Sequence, residues 1–161
     1  MKLKYFNNID PSHVKDYYDC QIVNNRLELK LDLNFQENSI DTQRLNIVND
    51  FLEQLDAKLS ETMTLIAQDY DSIDDDNTAK FYLEHHLDIL NEEESISLFG
   101  TTTVTKELFL SKLLVKRIGF YPDEDESFVV VDVSFENAIS DYLIAVMFDE
   151  NLKFSFMSME S

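Results

Sequence analysis

Four leucines at every second position, Leu27, Leu29, Leu31 and Leu33, alternate with Glu28, Lys30, Asp32 and Asn34. A period of two sends all the leucines to one side of an extended chain and all the polar groups to the other. The stretch therefore reads as a half-buried strand. Tyr17 to Val23 reads as its partner, with Asn24-Asn25 as the hairpin turn between Val23 and Arg26, because asparagine tolerates positive φ. Leu3 to Phe6 reads as a further short strand.

From Asp41 the period changes. Leu45, Val48, Phe51/Leu52, Leu55, Leu59, Met63 and Ile66 follow one another in steps of three or four, the spacing of one helix face. Asp41 is placed to cap the first turn. A span of about 27 residues exceeds the usual helix of roughly 8–20, which points to a break near Ser60. A second helix is expected from Asn77 to Leu90, with Ala79, Tyr82, Leu83, Leu87 and Leu90 inward. A third, short one is expected from Thr105, with Val104 and Phe109 as a staple.

The remainder returns to strands: Leu113 to Phe120, Ser127 to Phe135, Asp141 to Phe148 and Leu152 to Met157, rich in Val, Ile and Phe. Tyr121-Pro122-Asp123, Glu136-Asn137 and Asp149-Glu150-Asn151 separate them. Connections this short force antiparallel pairing, because a parallel pair needs a crossover of about a dozen residues. The order strands–helices–strands predicts an α+β fold: an antiparallel sheet with a central segment of two to three helices packed on one face. No Pro/Gly/Ser-rich linker divides the chain, so residues 1–161 read as one domain.

The charge is strongly one-sided: 13 Lys+Arg against 32 Asp+Glu in 161 residues, net −19. That excludes binding to nucleic acid or anionic lipid through phosphates, which needs Lys and Arg to displace counterions. With 44% hydrophobic residues the chain still has ample material for a core. Two glycines leave little room for a phosphate-cradling loop, and neither G-x-G-x-x-G, G-x-x-x-x-G-K-[ST] nor G-x-S-x-G occurs. The longest apolar run, Leu143 to Phe148, is far short of the roughly 18 residues of a membrane helix. The first residues form no apolar signal region, and Cys20 is the only cysteine. A cytoplasmic location is expected.

Four features invite chemistry, and each has a plainer reading. Glu84-His85-His86 lies inside a helix, where consecutive residues diverge by about 100°, and the i, i+4 spacing of paired histidine ligands is absent. His86 then reads as a hydrogen-bonded core residue and His85 as a surface one. Asp69, Asp71, Asp74, Asp75 and Asp76 crowd one connector, but no register puts glycine at the sixth and glutamate at the twelfth position of a calcium loop. A solvated acidic connector fits better, and so does a solvated tip for Asp123-Glu124-Asp125-Glu126. Cys20 reads as an inert strand thiol, although His13 could approach it. Gly100 reads as a turn or helix cap and Gly119 as the mark of a bulge. No catalytic residue, cofactor or metal ligand is expected.

Tyr82-Leu83-Glu84-His85-His86, the run from Val115 to Asp123, the hairpin Tyr142 to Phe154 and the ending Met159-Glu160-Ser161 together resemble an uncharacterised family of small acidic bacterial cytosolic proteins. The resemblance spans most of the chain, but its motifs are structural and carry over no catalytic residue. Many families of this size, charge and layout are immunity proteins, which neutralise a toxin.

The expected function is thus a non-enzymatic acidic protein-binding module, by that analogy an immunity-type inhibitor of a basic toxin. A −19 surface speeds encounter with a cationic partner. Two alternatives stay open: acidity that serves solubility with no specific basic partner, and a metal-dependent or small-molecule enzyme using Asp and His groups. Residues 41–112 hold 5 basic and 16 acidic groups, so the helical layer is the expected docking face. Its candidate partner-binding residues are Asp50, Glu53, Glu61, Asp74, Asp75, Asp76, Glu92, Glu93 and Glu94.

Overall fold

The computed structural model describes residues 1–73, 77–136 and 140–161. A two-stranded ribbon, β1 (Lys2–Leu3) with β2 (Asn7–Asn8), opens the chain, followed by the hairpin β3 (Tyr17–Asn24) and β4 (Leu27–Asn34). Five helices come next: α1 (Thr42–Glu53), α2 (Leu55–Tyr70), α3 (Thr78–Ile89), α4 (Glu92–Phe99) and α5 (Lys106–Ser111). Strands β5 (Leu113–Phe120), β6 (Val129–Phe135), β7 (Leu143–Phe148) and β8 (Phe154–Glu160) complete it. The fold is α+β, with the helices in the middle of the chain, as the periodicities predict. Among the described residues no helix is long and apolar enough to cross a membrane.

The main sheet runs β3-β4-β5-β6-β7-β8, strictly in chain order. Every pair is antiparallel except β4–β5, which is parallel. The short connections enforce the antiparallel pairs. The parallel pair sits where residues 35–112 supply a crossover long enough to return the chain to the same end of the sheet.

Alternation along the strands separates two faces. Leu29, Leu31 and Leu33 point the same way as Ile118 and Phe120, Val129, Val131 and Val133, and Ile144 and Val146, all buried. The helices cover this face only: Phe51 packs edge-on against Phe120 and Phe148, while Tyr82, Phe99 and Phe109 converge on Phe135. Leu27, at the hairpin end, is 44% exposed.

Caps fix the helices. Asp41 Oδ1 accepts from Gln43 N at 2.8 Å, as expected, and Asn77 Oδ1 accepts from Lys80 N at 2.8 Å. Thr105 accepts from Leu108 N at α5, the short helix expected there. Helix α4, not anticipated, has a reciprocal capping box between Asn91 and Glu94 and ends on Gly100 at φ 77°.

Several expectations are corrected. Among the described residues there are five helices rather than two to three, and the long helix breaks at Gln54, not near Ser60. Gln54 N–H is shared between Asp50 O and Phe51 O as the chain leaves helical geometry. The hairpin turn is Asn25-Arg26, at φ 48° and 70°, one residue beyond Asn24-Asn25. Of Leu3 to Phe6 only Leu3 is in a strand; residues 4–6 form the tight turn from β1 to β2, with Tyr5 at φ 69°. The last strand starts at Phe154 rather than Leu152. The β5 irregularity lies between Val115 and Arg117, not at Gly119.

Candidate interaction surface

On the sheet face away from the helices, β4, β5 and β6 bring together Asp32, Arg117 and Asp132. Asp32 is 1% exposed and Asp132 7%. The Arg117 guanidinium donates Nε to Asp32 Oδ2 at 2.5 Å, Nη2 to Asp32 Oδ1 at 2.7 Å, Nη1 to Asp132 Oδ2 at 2.8 Å and Nη2 to the Tyr121 hydroxyl at 2.7 Å. Burial alone would discourage the guanidinium charge, but these hydrogen bonds outweigh it and raise the Arg117 pKa. Burial also raises the Asp132 carboxyl, against the pull of Arg117. Each of the three guanidinium nitrogens has an acceptor, and four of its five N–H groups are used, so the cluster acts as an internal lock.

Arg44 forms a second lock, from α1. It donates to Pro122 O at 2.7 Å, Glu124 O at 2.6 Å and Asp125 Oδ1 at 3.0 Å, pairs with Glu150, and lies over the Phe128 ring. Gln36 donates its backbone N–H to Asp123 Oδ2 at 2.8 Å and its side-chain amide to Glu124. The acidic β5–β6 tip, read from sequence as solvated, is therefore partly engaged internally.

His86 is buried. Its Nδ1 faces Tyr82 O at 2.7 Å and its Nε2 the Ser140 hydroxyl at 2.7 Å. A carbonyl can only accept, so Nδ1 carries the proton and Nε2 accepts from Ser140. Burial lowers the His86 pKa below the ordinary histidine value, outweighing the Tyr82 carbonyl, and pushes the Tyr82 phenol up to about 12. His85, half-buried, stacks edge-on to Tyr142 at 4.6 Å. The two histidines point different ways, as their spacing requires. Cys20 is half-buried and its pKa is raised by burial and by Asp19, while His13 pairs with Asp10 at 3.5 Å. Among the described residues no three His, Cys, Asp or Glu side chains assemble into a metal-binding group.

The nine candidate partner-binding carboxylates separate into distinct environments. Asp50 is exposed, near the end of α1. Glu53 pairs with Lys4 at 3.3 Å beside a cavity of about 370 Å³, which Tyr5, Asn24 and Asp56 also line. Glu61, past the helix break, pairs with Lys58 at 2.8 Å, and Lys58 also donates to Leu152 O. Glu92, Glu93 and Glu94 form the first turn of α4, where they complement the helix dipole, and Glu94 closes the capping box. Asp74, Asp75 and Asp76 lie outside the described residues. Of the same connector, Asp69 accepts from Ala79 N at 2.7 Å at the start of α3, and Asp71 pairs with Lys106.

A feature missed in sequence is the exposed side of α3. Phe81 is 59% exposed and Ile89 50%, with His85 between them. The i, i+4, i+8 spacing of Phe81, His85 and Ile89 was legible. The stronger apolar spacing belongs to the opposite face, Ala79, Tyr82, Leu83 and His86, which is the one that packs.

Comparison of the chain with protein-family models, with curated proteins and with solved structures found no match.

Proposed function

We propose that this protein is a non-enzymatic acidic binding module whose partner is a basic protein, an inhibitor of the immunity type being the form the sequence suggests. One observation supports this reading above the rest. Within the helical layer Arg44, Lys58 and Lys106 are consumed in internal ion pairs, whereas Asp50, Asp88, Glu92 and Glu93 make no ion pair among the described residues. The negative potential of that layer is thus presented outward, where it accelerates encounter with a cation-rich surface.

The test is affinity capture from cells of the native organism, followed by association kinetics with the captured partner at two salt concentrations. A basic protein whose association slows steeply with salt is the expected result. Capture of no basic protein, or association indifferent to salt, would show that the acidity serves solubility alone. Reversing Asp50, Glu53 and Glu61 to Lys, compared with Glu124 and Glu126, separates the helical layer from the hairpin tip.

A further inference from the structure

The exposed side of α3 pairs an apolar ridge with an acidic one. Phe81, His85 and Ile89 lie one turn apart along the helix, and Glu84 and Asp88 form the adjacent row. Phe81 and His85 are in ring contact at 6.5 Å, and Tyr142, from the start of the β7 hairpin, stands against His85. Among the described residues of α3, Lys80 is the one lysine or arginine, 4.0 Å from Glu84. Asp88 makes no ion pair among the described residues, and the helix leads directly into Glu92 and Glu93.

Large side chains left at half exposure or more on a helix whose opposite side is fully packed mark a docking surface rather than a core. Charge decides the occupant. A second copy laid antiparallel on α3 would bring Glu84 and Asp88 against the same carboxylates, with a further −19 behind them, and like charges juxtaposed across an interface cost several kcal/mol, roughly. A helix carrying apolar side chains on one stripe and Lys or Arg on the next satisfies both ridges at once. We infer that α3 is the docking face for a cationic amphipathic helix of a partner protein, with Phe81 and Ile89 as apolar anchors and Glu84 and Asp88 as the matching charges. This deepens the proposed function and rests on it.

The probe is a leucine–lysine amphipathic peptide of about 18 residues, roughly five turns, labelled for fluorescence anisotropy. Binding is read at low salt and in about 1 M salt, where the screening length is roughly 3 Å. The expected result is that Phe81→Ala/Ile89→Ala and Glu84→Lys/Asp88→Lys each weaken binding about tenfold or more, on the order of 1.4 kcal/mol. In high salt the unmodified protein keeps measurable affinity and the Phe81/Ile89 variant loses it. These side chains are exposed, so all variants should keep the native circular dichroism. If instead Asp50→Lys/Glu53→Lys/Glu61→Lys loses the peptide while both α3 variants bind normally, the acidic-module reading survives and the α3 surface is refuted. If the unmodified protein does not bind the peptide even at low salt, both are overturned.

Discussion

Arg117 grips Asp32 with two parallel hydrogen bonds, from Nε at 2.5 Å and from Nη2 at 2.7 Å, across the one parallel strand pair of the sheet. The aspartate is almost wholly shielded from water; Asn34 Nδ2 also donates to its Oδ1 at 2.6 Å, and Arg117 is its ion-pair partner. Removing one partner of a buried pair leaves the other uncompensated, which costs about 3 kcal/mol or more. Arg117→Met should therefore destabilise the protein by about that amount in urea unfolding. Adding Asp32→Asn to Arg117→Met should recover part of the loss. No recovery would mean that Asp32 is stabilised by something other than the arginine.

Gly119 lies beneath the same guanidinium. A β-carbon there would sit 2.6 Å from Arg117 Nη2 and 2.9 Å from Tyr121 Cε2. Arg117 is long enough to move aside, but moving breaks its grip on Asp32. Gly119→Ala should thus cost about 2 kcal/mol, the range for overpacking a well-filled site. In the Arg117→Met background the same change should cost clearly less, since the clashing group has gone. Equal costs in both backgrounds would place the strain at Tyr121.

How far the sequence discloses this fold depends on whether a feature leaves a period. The leucine alternation and the helical spacing from Leu45 onward did; they place Leu29, Leu31, Leu33, Leu45, Val48, Phe51, Leu52, Leu55 and Ile66 in the core, while Leu27 is exposed at the hairpin end and Leu59 and Met63 are only partly buried. The break at Gln54 did not, because Leu52, Leu55 and Leu59 keep the helical period straight through it. Helix α4 is only Glu92–Phe99, too short for its period to stand out, although Asn91 and Glu94 carry the capping-box pattern. The parallel pairing of β4 with β5 follows from long-range packing that no local pattern encodes. Of the candidate interface, the acid content of the helical layer was legible. The internal consumption of Glu53 and Glu61 was not, since Lys4 lies far from Glu53 in sequence and the role of Lys58 appears only with its contact to Leu152 O.

The hairpin turn offers a stabilising change. Asn25 and Arg26 both have positive φ, the geometry of a two-residue type I′ turn, in which glycine is favoured at the second position. Arg26 adopts φ 70° at a steric cost that glycine does not bear. Arg26→Gly should raise stability by about 0.5–1 kcal/mol, after allowing for the greater freedom of glycine when unfolded. A lower thermal midpoint would show that the arginine side chain makes a compensating contact.

Arg44 ties α1 to two hairpin turns at once, through Pro122 O, Glu124 O and Asp125 on one side and Glu150 on the other. Charge-assisted hydrogen bonds of this kind contribute about 1.5–3 kcal/mol when partly buried. Arg44→Gln should cost about 2 kcal/mol. Amide exchange should accelerate selectively over residues 122–126 and 149–152. Uniform acceleration across the sheet would argue that Arg44 supports the core as a whole rather than the turns.

His86 should give the protein an acid-sensitive limb above the range where carboxylates titrate. Its folded pKa lies below 6.5, lowered by burial among Tyr82 and Phe135. An unfolded histidine, with the ordinary value, binds a proton more readily than the folded one. Stability therefore is level above about pH 6.5, falls as pH drops below it, and stops falling once pH is below the folded pKa. Asp132 acts with the opposite sign. Its folded pKa is raised above 3.8, so its contribution is present at the acid end and is lost as pH rises through that folded value. His86→Gln removes the histidine proton while keeping a neutral polar group of similar reach. Urea midpoints measured from pH 7.5 to 5 should decline for the unmodified protein and stay flatter for the variant, whatever the variant's absolute stability. Parallel curves for the two proteins would mean that the acid limb originates elsewhere and that His86 titrates alike in the folded and unfolded chains.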